Sequence, residues 1–328
     1  MNKNIQSNSW QIVEEGFNPE NQLEAKTPFC QGNSQIFQQA NFEEYYSGPS
    51  ILGCHLSDSP MLIDAENLNK SNGKTINAPN WTGIIVRLNE EVLDLASWEI
   101  LSFKRTLNMR DAILERTFET ISPKGRHILV KVKRFISLAQ TEIGAITYSI
   151  KSLNFEGRIS FMPIIDGDLK EQLTNPNEPI WNVLQTKTQP DVAHLWAQTR
   201  RTDFHICTAM TYVMLKNNEK SKGIATKIEK EKVAGYSVGN DVKTGDTITL
   251  HKFCAIVNSK NHSRNEITQL SCDLALEAKQ KGWDKLVEEH CAVIQQKWEE
   301  SGIDFQDENS DQKNLNTVFR NIQHLDNC

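Results

Sequence analysis

From Trp10 to about Val257 apolar and polar positions alternate with a period of two, the signature of strands that bury one face and wet the other. Ile84-Ile85-Val86-Arg87-Leu88, the polar Asn89-Glu90-Glu91 and Val92-Leu93-Asp94-Leu95 read as a hairpin around a short turn. Strands are expected at 98–106, 111–121, 126–138, 143–154 and 157–165, and again at 181–188, 194–200, 204–215, 224–238 and 246–257. Pro123-Lys124-Gly125 is a turn signal in front of His127–Phe135. Long strands punctuated by turns, with no helices between them, predict an antiparallel sandwich rather than a parallel α/β sheet. The polar stretch Ser57–Asn77, with Pro60, Asn72 and Gly73, reads as a surface loop.

The period changes at Ser263. Ser263-Arg264-Asn265-Glu266 has the spacing of a capping box, and Ile267, Leu270 and Leu274 then share a helical face. Gly282 is expected to end that helix. Asp284 is placed to cap a second one with Val287, Cys291, Ile294 and Trp298 on one face, up to Gly302. A third helix is expected from about Asn309 through Leu315, Val318, Phe319 and Ile322. The chain therefore divides into a β domain over 1–260 and a helical linker with the start of a further helix over 261–328: mainly β, a large antiparallel sandwich followed by an α-helical segment.

Composition narrows the function classes. The net charge is −6, and no run of Lys or Arg opposes it, which disfavours nucleic acid and anionic membranes as partners. Lys131, Lys133 and Arg134 alternate with Val132 and Phe135, as on a strand face. The seven cysteines are scattered without a C-x-x-C pair, so no zinc or thioredoxin-like site is expected and the thiols read as reduced. The polar start MNKNIQSNSW has no signal-peptide core, and no apolar run approaches a membrane span; a cytoplasmic protein is expected, in which the sequons at Asn80 and Asn261 mean little.

Candidate chemistry is sparse. Glu43-Glu44 is the only tight carboxylate pair within a recognisable motif. Neighbours on an extended segment point to opposite faces and cannot flank one bond, so a structural or solvent role is expected. Asp166-Gly167-Asp168 lacks the further oxygen ligands of a calcium loop and reads as a turn. His194 and His205 lie on neighbouring strands with no ligand partner at useful spacing; metal ligands are therefore expected to be none. Most of the seven tryptophans sit among apolar neighbours and read as core. Trp81, in Asn77-Ala78-Pro79-Asn80-Trp81, is the least core-like and is the candidate for stacking on carbohydrate or on a further domain. No phosphate-binding loop, nucleophile elbow or dinucleotide fingerprint is present.

Several stretches, taken in order, resemble the N-terminal half of glycoside hydrolase family 65, the inverting phosphorylases of maltose, kojibiose, trehalose and related α-glucosides. They are Trp10–Pro19, Gln31-Gly32-Asn33, Ala40–Gly48, Asn77–Trp81, Leu93-Asp94-Leu95, Arg105–Met109, Leu114–Phe118, Arg134–Ser137, Leu153-Asn154-Phe155 and Trp298–Asp304. The resemblance implies a galactose-mutarotase-like β-super-sandwich, a helical linker, an (α/α)6 barrel and a small C-terminal sheet. The general acid and the site for inorganic phosphate, the family's co-substrate, belong to the barrel. The chain ends about where the first barrel helix starts, so the barrel is expected to be absent. No residue here is expected to be catalytic, and no cofactor is expected. One departure stands out: where the family has approximately Gly-Asn-Gly, a second glycine and an arginine, this chain has Gly32-Asn33-Ser34-Gln35-Ile36-Phe37-Gln38-Gln39. Gly32, Asn33, Asn41 and Phe42 are the candidates for docking a barrel.

Three functions follow from that resemblance. The first is a non-catalytic scaffold of a disaccharide phosphorylase that also helps form a homodimer, with an apolar face on the linker and around Gln31–Gln39. The second is a stand-alone module that binds an oligosaccharide or regulates. The third is half of an enzyme completed in trans by a separate barrel.

Overall fold

The computed structural model describes residues 5–8, 10–19, 22, 28–48, 54–56, 77–169, 179–200, 203–302, 319, 322 and 323. The expected loop Ser57–Asn77 lies outside these residues apart from Asn77, and the third helix lies outside them apart from Phe319 and Ile322.

Two antiparallel sheets face each other. The large one runs in spatial order through β1 (Ile5–Asn8), β2 (Gln11–Glu15), β8 (Glu99–Asn108), β9 (Ile113–Ile121), β10 (His127–Ile136), β11 (Ile143–Ser152), β19 (Thr247–Asn258), β15 (His205–Lys216), β14 (Ala193–Thr199) and β13 (Trp181–Thr188), with β16 (Glu219–Lys220) paired to β15. The smaller sheet runs through β17 (Ile224–Lys230), β18 (Val233–Val242), β12 (Gly157–Asp166), β6 (Ile84–Leu88) and β7 (Glu91–Val92). A third, of β3 (Gln31–Gly32), β4 (Ile36–Gln38) and β5 (Cys54–Leu56), completes the strands. Alternation along each strand sends one set of side chains inward: Ile84, Val86 and Leu88 from β6, Ile128, Val130 and Val132 from β10, and Ile248, Leu250 and Cys254 from β19 meet in one core.

One expected strand, 224–238, is two. The chain reverses at Glu231-Lys232, and β17 pairs back on β18. Nothing in Lys230-Glu231-Lys232 marks a turn, because it holds no Gly, Pro or Asn. Two ladders also slip. The bulges between Ile100 and Ser102 and between Val183 and Gln185 turn Leu101 and Leu184 to solvent, which accounts for two of the four exposed large apolar side chains among the described residues.

The helix α1 (Ile267–Glu300) lies across the outer face of β11, β19, β15 and β14. Gly282, with φ of 78°, breaks it where a stop is expected, and Gly302, with φ of 71°, follows its end. The capping box does not form: the N-cap is Glu266, without a side-chain bond, and the Ser263 carbonyl rather than its hydroxyl receives the Glu266 and Ile267 amides. The expected face of the second half holds at Ile294 and Trp298 and is one residue out before them. Leu286, His290, Ile294 and Trp298 are the buried set, whereas Val287 and Cys291 are half-buried.

Candidate functional site

Three neighbouring strands each send an arginine into the protein: Arg105 from β8, Arg116 from β9 and Arg134 from β10, all nearly or fully buried. Arg105 and Arg116 are direct cross-strand partners, an arrangement that repels unless anions intervene. Glu14 of β2 supplies one anion, taking Arg105 Nε at 2.9 Å and Nη2 at 2.5 Å. The others come from the strap of residues 28–48. Glu44 takes both terminal nitrogens of Arg116, Glu43 bridges Arg116 Nη2 at 2.7 Å and Arg134 Nη1 at 2.6 Å, and Tyr148 donates its hydroxyl to Glu44 at 3.3 Å. Three cations thus meet three carboxylates. Carbonyls of Ala40, Gln39 and Asn41 take further guanidinium protons, and the Phe29 and Phe42 rings lie 4.8 Å and 4.7 Å from the Arg105 and Arg116 guanidinium carbons.

Burial works to lower the Arg116 pKa, but the Glu44 and Glu43 carboxylates outweigh it and hold the guanidinium above its ordinary range. Burial pushes the Tyr148 phenol well up, with Glu44 adding to it. The adjacent carboxylates do not point to opposite faces as an extended segment would require. Residues 43–44 lie in a bend, and both side chains converge on Arg116. Every carboxylate oxygen of that pair is held by a guanidinium, so neither is free to reach a leaving group. The cavity beside them, lined by Ala40, Asn41, Phe42, Glu43, Arg105, Leu114, Arg116 and Val132, has room for about one water molecule. This is a structural ion cluster that clamps the strap to the sheet.

The second constellation gathers on the β8–β9 turn. Trp298 Nε1 donates to the Met109 carbonyl at 3.1 Å, His290 Nε2 to Asp111 at 2.7 Å and Gln31 Nε2 to Ala112 at 2.8 Å. Ala112 adopts φ of 50° there, rarely taken by a residue with a Cβ and held by these contacts from helix and strap. Trp298 meets Trp10 edge-on at 5.1 Å and stacks with Phe319 at 6.3 Å, and Ile322 joins the same buried cluster. Gly32 N donates to Gln323 Oε1 at 2.8 Å, so the strap also touches the segment beyond the linker.

Each residue singled out from the sequence has a definite place. Asn33 accepts the Gln35 and Ile36 amides and donates to the Ser137 and Thr141 carbonyls, tying its turn to the β10–β11 connection. Asn41 and Phe42 do not face outward for docking. Asn41 donates to Thr82 and the Phe42 carbonyl and accepts from Gln38, while Phe42 packs between arginines and aromatic rings. The ion cluster draws them in. Trp81 offers no platform either: it is 0% exposed, and a Cβ on Gly144 would sit 2.6 Å from its ring. Asn80 explains why, since its amide and carbonyl bridge to Asp166 and pull the loop into the sandwich. Trp10, Trp98, Trp181 and Trp298 are buried too.

Asp166 accepts the Asp168 amide in a turn, and Asp168 pairs with Lys232 at 2.7 Å. His205 meets Asp203. His194 Nδ1 lies 3.5 Å from Cys272 Sγ, a partner 78 residues away that spacing cannot reveal. Among the described residues no group of three His, Cys, Asp or Glu could hold a metal ion, and no helix is long and apolar enough to cross a membrane. The linker's solvent side is polar, so no apolar docking face is found there among the described residues.

A family profile decides what these elements belong to: that of the glycosyl hydrolase family 65 N-terminal domain matches residues 12–297. The chain belongs to glycosyl hydrolase family 65. Family 65 relatives agree in order along almost its whole length. It is 24% identical to the alpha,alpha-trehalose phosphorylase of Thermoanaerobacter brockii over 90% of this chain and 40% of that protein. It is 26% identical to the maltose phosphorylase of Bacillus subtilis over 90% and 39%. A solved structure described as a candidate kojibiose phosphorylase from human microbiome superposes with a TM-score of 0.81 at 20% identity, covering 98% of this chain and 42% of that one. The sandwich-plus-linker fold is therefore that of the family, and the chain spans about two fifths of the length of these relatives.

Proposed function

We propose that this chain is the scaffold of a family 65 disaccharide phosphorylase, seating an (α/α)6 catalytic barrel on the sandwich through the linker, whether that barrel is joined to it or supplied as a separate chain. The observation that carries this reading is the cluster at the β8–β9 turn, where Trp298, Phe319, Ile322 and Gln323 lie against Trp10, Met109 and Gly32. A linker buried at its far end holds whatever follows it in a fixed position. The ion-locked carboxylates speak for a non-catalytic role, because inverting phosphorolysis needs a free carboxylic acid beside the scissile oxygen and a cationic pocket for phosphate. Inorganic phosphate would then be a co-substrate of the barrel, with no cofactor held by the sandwich. Cytoplasmic residence accords with the free Cys207, Cys254, Cys272 and Cys291. Homodimer formation through the sandwich is part of the same reading.

Incubating the purified chain with inorganic phosphate and trehalose, maltose or kojibiose tests it. The chain alone should release no glucose 1-phosphate, and a separately produced family 65 barrel should bind it and gain thermal stability. Phosphorolysis by the chain alone, or a barrel that ignores it, overturns the reading. A stand-alone sugar-binding role loses its sequence-level anchor with the burial of Trp81.

A further inference from the structure

Three histidines line the seam between α1 and the outer face of the large sheet. His194 of β14 meets Cys272 of α1, with its Nε2 3.1 Å from Gln185 Oε1. His251 of β19 stacks on Trp283 of α1 at 6.0 Å, and its buried Nδ1 has no hydrogen-bond partner. His290, on α1 itself and fully buried, receives the Leu138 amide on Nδ1 at 3.1 Å and reaches the Asp111 carbonyl through Nε2 at 2.7 Å. The Leu138 N–H fixes the His290 tautomer: Nδ1 is the acceptor, Nε2 carries the hydrogen, and no lone pair remains for a second proton. Trp283 and His290 both pack on Phe135, at 5.3 Å and 4.8 Å, so two of the three sites are in contact through one ring.

We propose that this seam is an acid-releasable latch, in which His194, His251 and His290 hold the linker helix on the sandwich while neutral and let it go when protonated. The surroundings offer little to stabilise the cations. Facing His194 are Cys272 of α1, its cross-strand partner Lys187 on β13, and Glu229 on β17. Facing His251 is Asp284 of α1, and its strand partners Thr147 and Val213 are uncharged. Beside His290 are Cys291 on the helix and Asp111 on the β8–β9 turn, whose carboxyl is itself influenced by Glu115, Arg110 and Lys133. Among the described residues no carboxylate is hydrogen-bonded to any of the three rings. Burial accordingly holds all three imidazoles below their ordinary range, Lys187 adding to it at His194, and pushes His290 down to about 4.

The sign follows from linkage. A depressed pKa in the docked state means docking is at full strength above the free imidazole value of about 6.5 and weakens as pH falls through that range toward the docked value. His290 alone favours the released form about 30-fold more at about pH 5 than at about pH 7.5, and His194 and His251 act in the same direction. This latch needs no particular catalytic partner, so it stands or falls separately from the scaffold role.

Hydrogen exchange of the whole chain, followed peptide by peptide at about pH 7.5 and about pH 5 and corrected for the intrinsic pH dependence of amide exchange, tests it. Protection over 267–300 should fall by about 30-fold or more while β10, β11 and β19 keep theirs. Unchanged helix protection overturns the latch, as does a simultaneous loss in helix and strands, which is general acid unfolding. A His194→Gln, His251→Phe, His290→Gln variant puts a hydrogen-bonding or stacking group that does not titrate at each position, and its helix protection should be the same at both pH values. If the variant loses protection on acidification as the parent does, carboxylates such as Asp111 and Asp284 carry the effect and the proposal falls.

Discussion

The two faces of the large sheet solve the same problem with opposite chemistry. On the inner face of β8–β10 the strap is held by Arg105, Arg116 and Arg134 against Glu14, Glu43 and Glu44. On the outer face of β11, β19, β15 and β14 the helix is held by apolar contacts and neutral imidazoles. Guanidiniums facing saturated carboxylates keep their charge at any pH a cell reaches, so the inner clamp is permanent. Burial holds the imidazoles below their ordinary range, so taking up a proton works against the contact and the outer face weakens as pH falls. The lesson is that burial alone does not say whether a polar contact is fixed; the identity of the partner does.

The largest effect should come from the inner face. Arg116→Met leaves Glu43 and Glu44 buried without their shared cation and should cost about 3–5 kcal/mol, read from urea unfolding at neutral pH. A loss of only a few tenths would mean that the cluster is hydrated and not a clamp. Next comes Gly144→Ala, which drives a methyl into the Trp81 ring and should cost about 1–3 kcal/mol in the same assay. An unperturbed variant would mean that Trp81 has room to move, reopening its candidacy as a stacking surface. On the outer face, His290→Gln should cost about 1 kcal/mol at neutral pH. That cost should shrink between pH 6.5 and 4, because the wild-type ring, whose docked pKa of about 4 lies below its free value, loses its contribution over that window. A cost that grows on acidification has the wrong sign for the latch. The smallest effect belongs to Leu101→Ser and Leu184→Ser, whose side chains the bulges already expose: each should stay within about 0.5 kcal/mol.

Much of the fold was legible from period and punctuation. Most expected strand boundaries fall within a residue or two of those observed, and Gly282 and Gly302 interrupt the helices where expected. The Glu231-Lys232 reversal was not legible, because two charged residues turn there on tertiary pairing alone. The first part of the second helix face was one residue out because His290 is selected by Phe135 and the β8–β9 turn, contacts more than a hundred residues away. The candidate sites fared worse. Asn41 and Phe42 looked like docking residues until three arginines on separate strands claimed their surroundings, and Trp81 looked loop-borne until Asn80 paired with Asp166.

Alternation of polarity along the chain was enough to establish an antiparallel sandwich followed by a glycine-broken helical linker, because each strand or helix records its own periodicity in consecutive residues. Which polar side chains meet was left to the assembled fold. Glu43 finds Arg134 across 91 positions and Cys272 finds His194 across 78, and no local pattern encodes contacts between residues so far apart. The permanence of the inner clamp and the acid sensitivity of the outer seam both come from those distant pairings, since a side chain's charge state is set by what surrounds it in space.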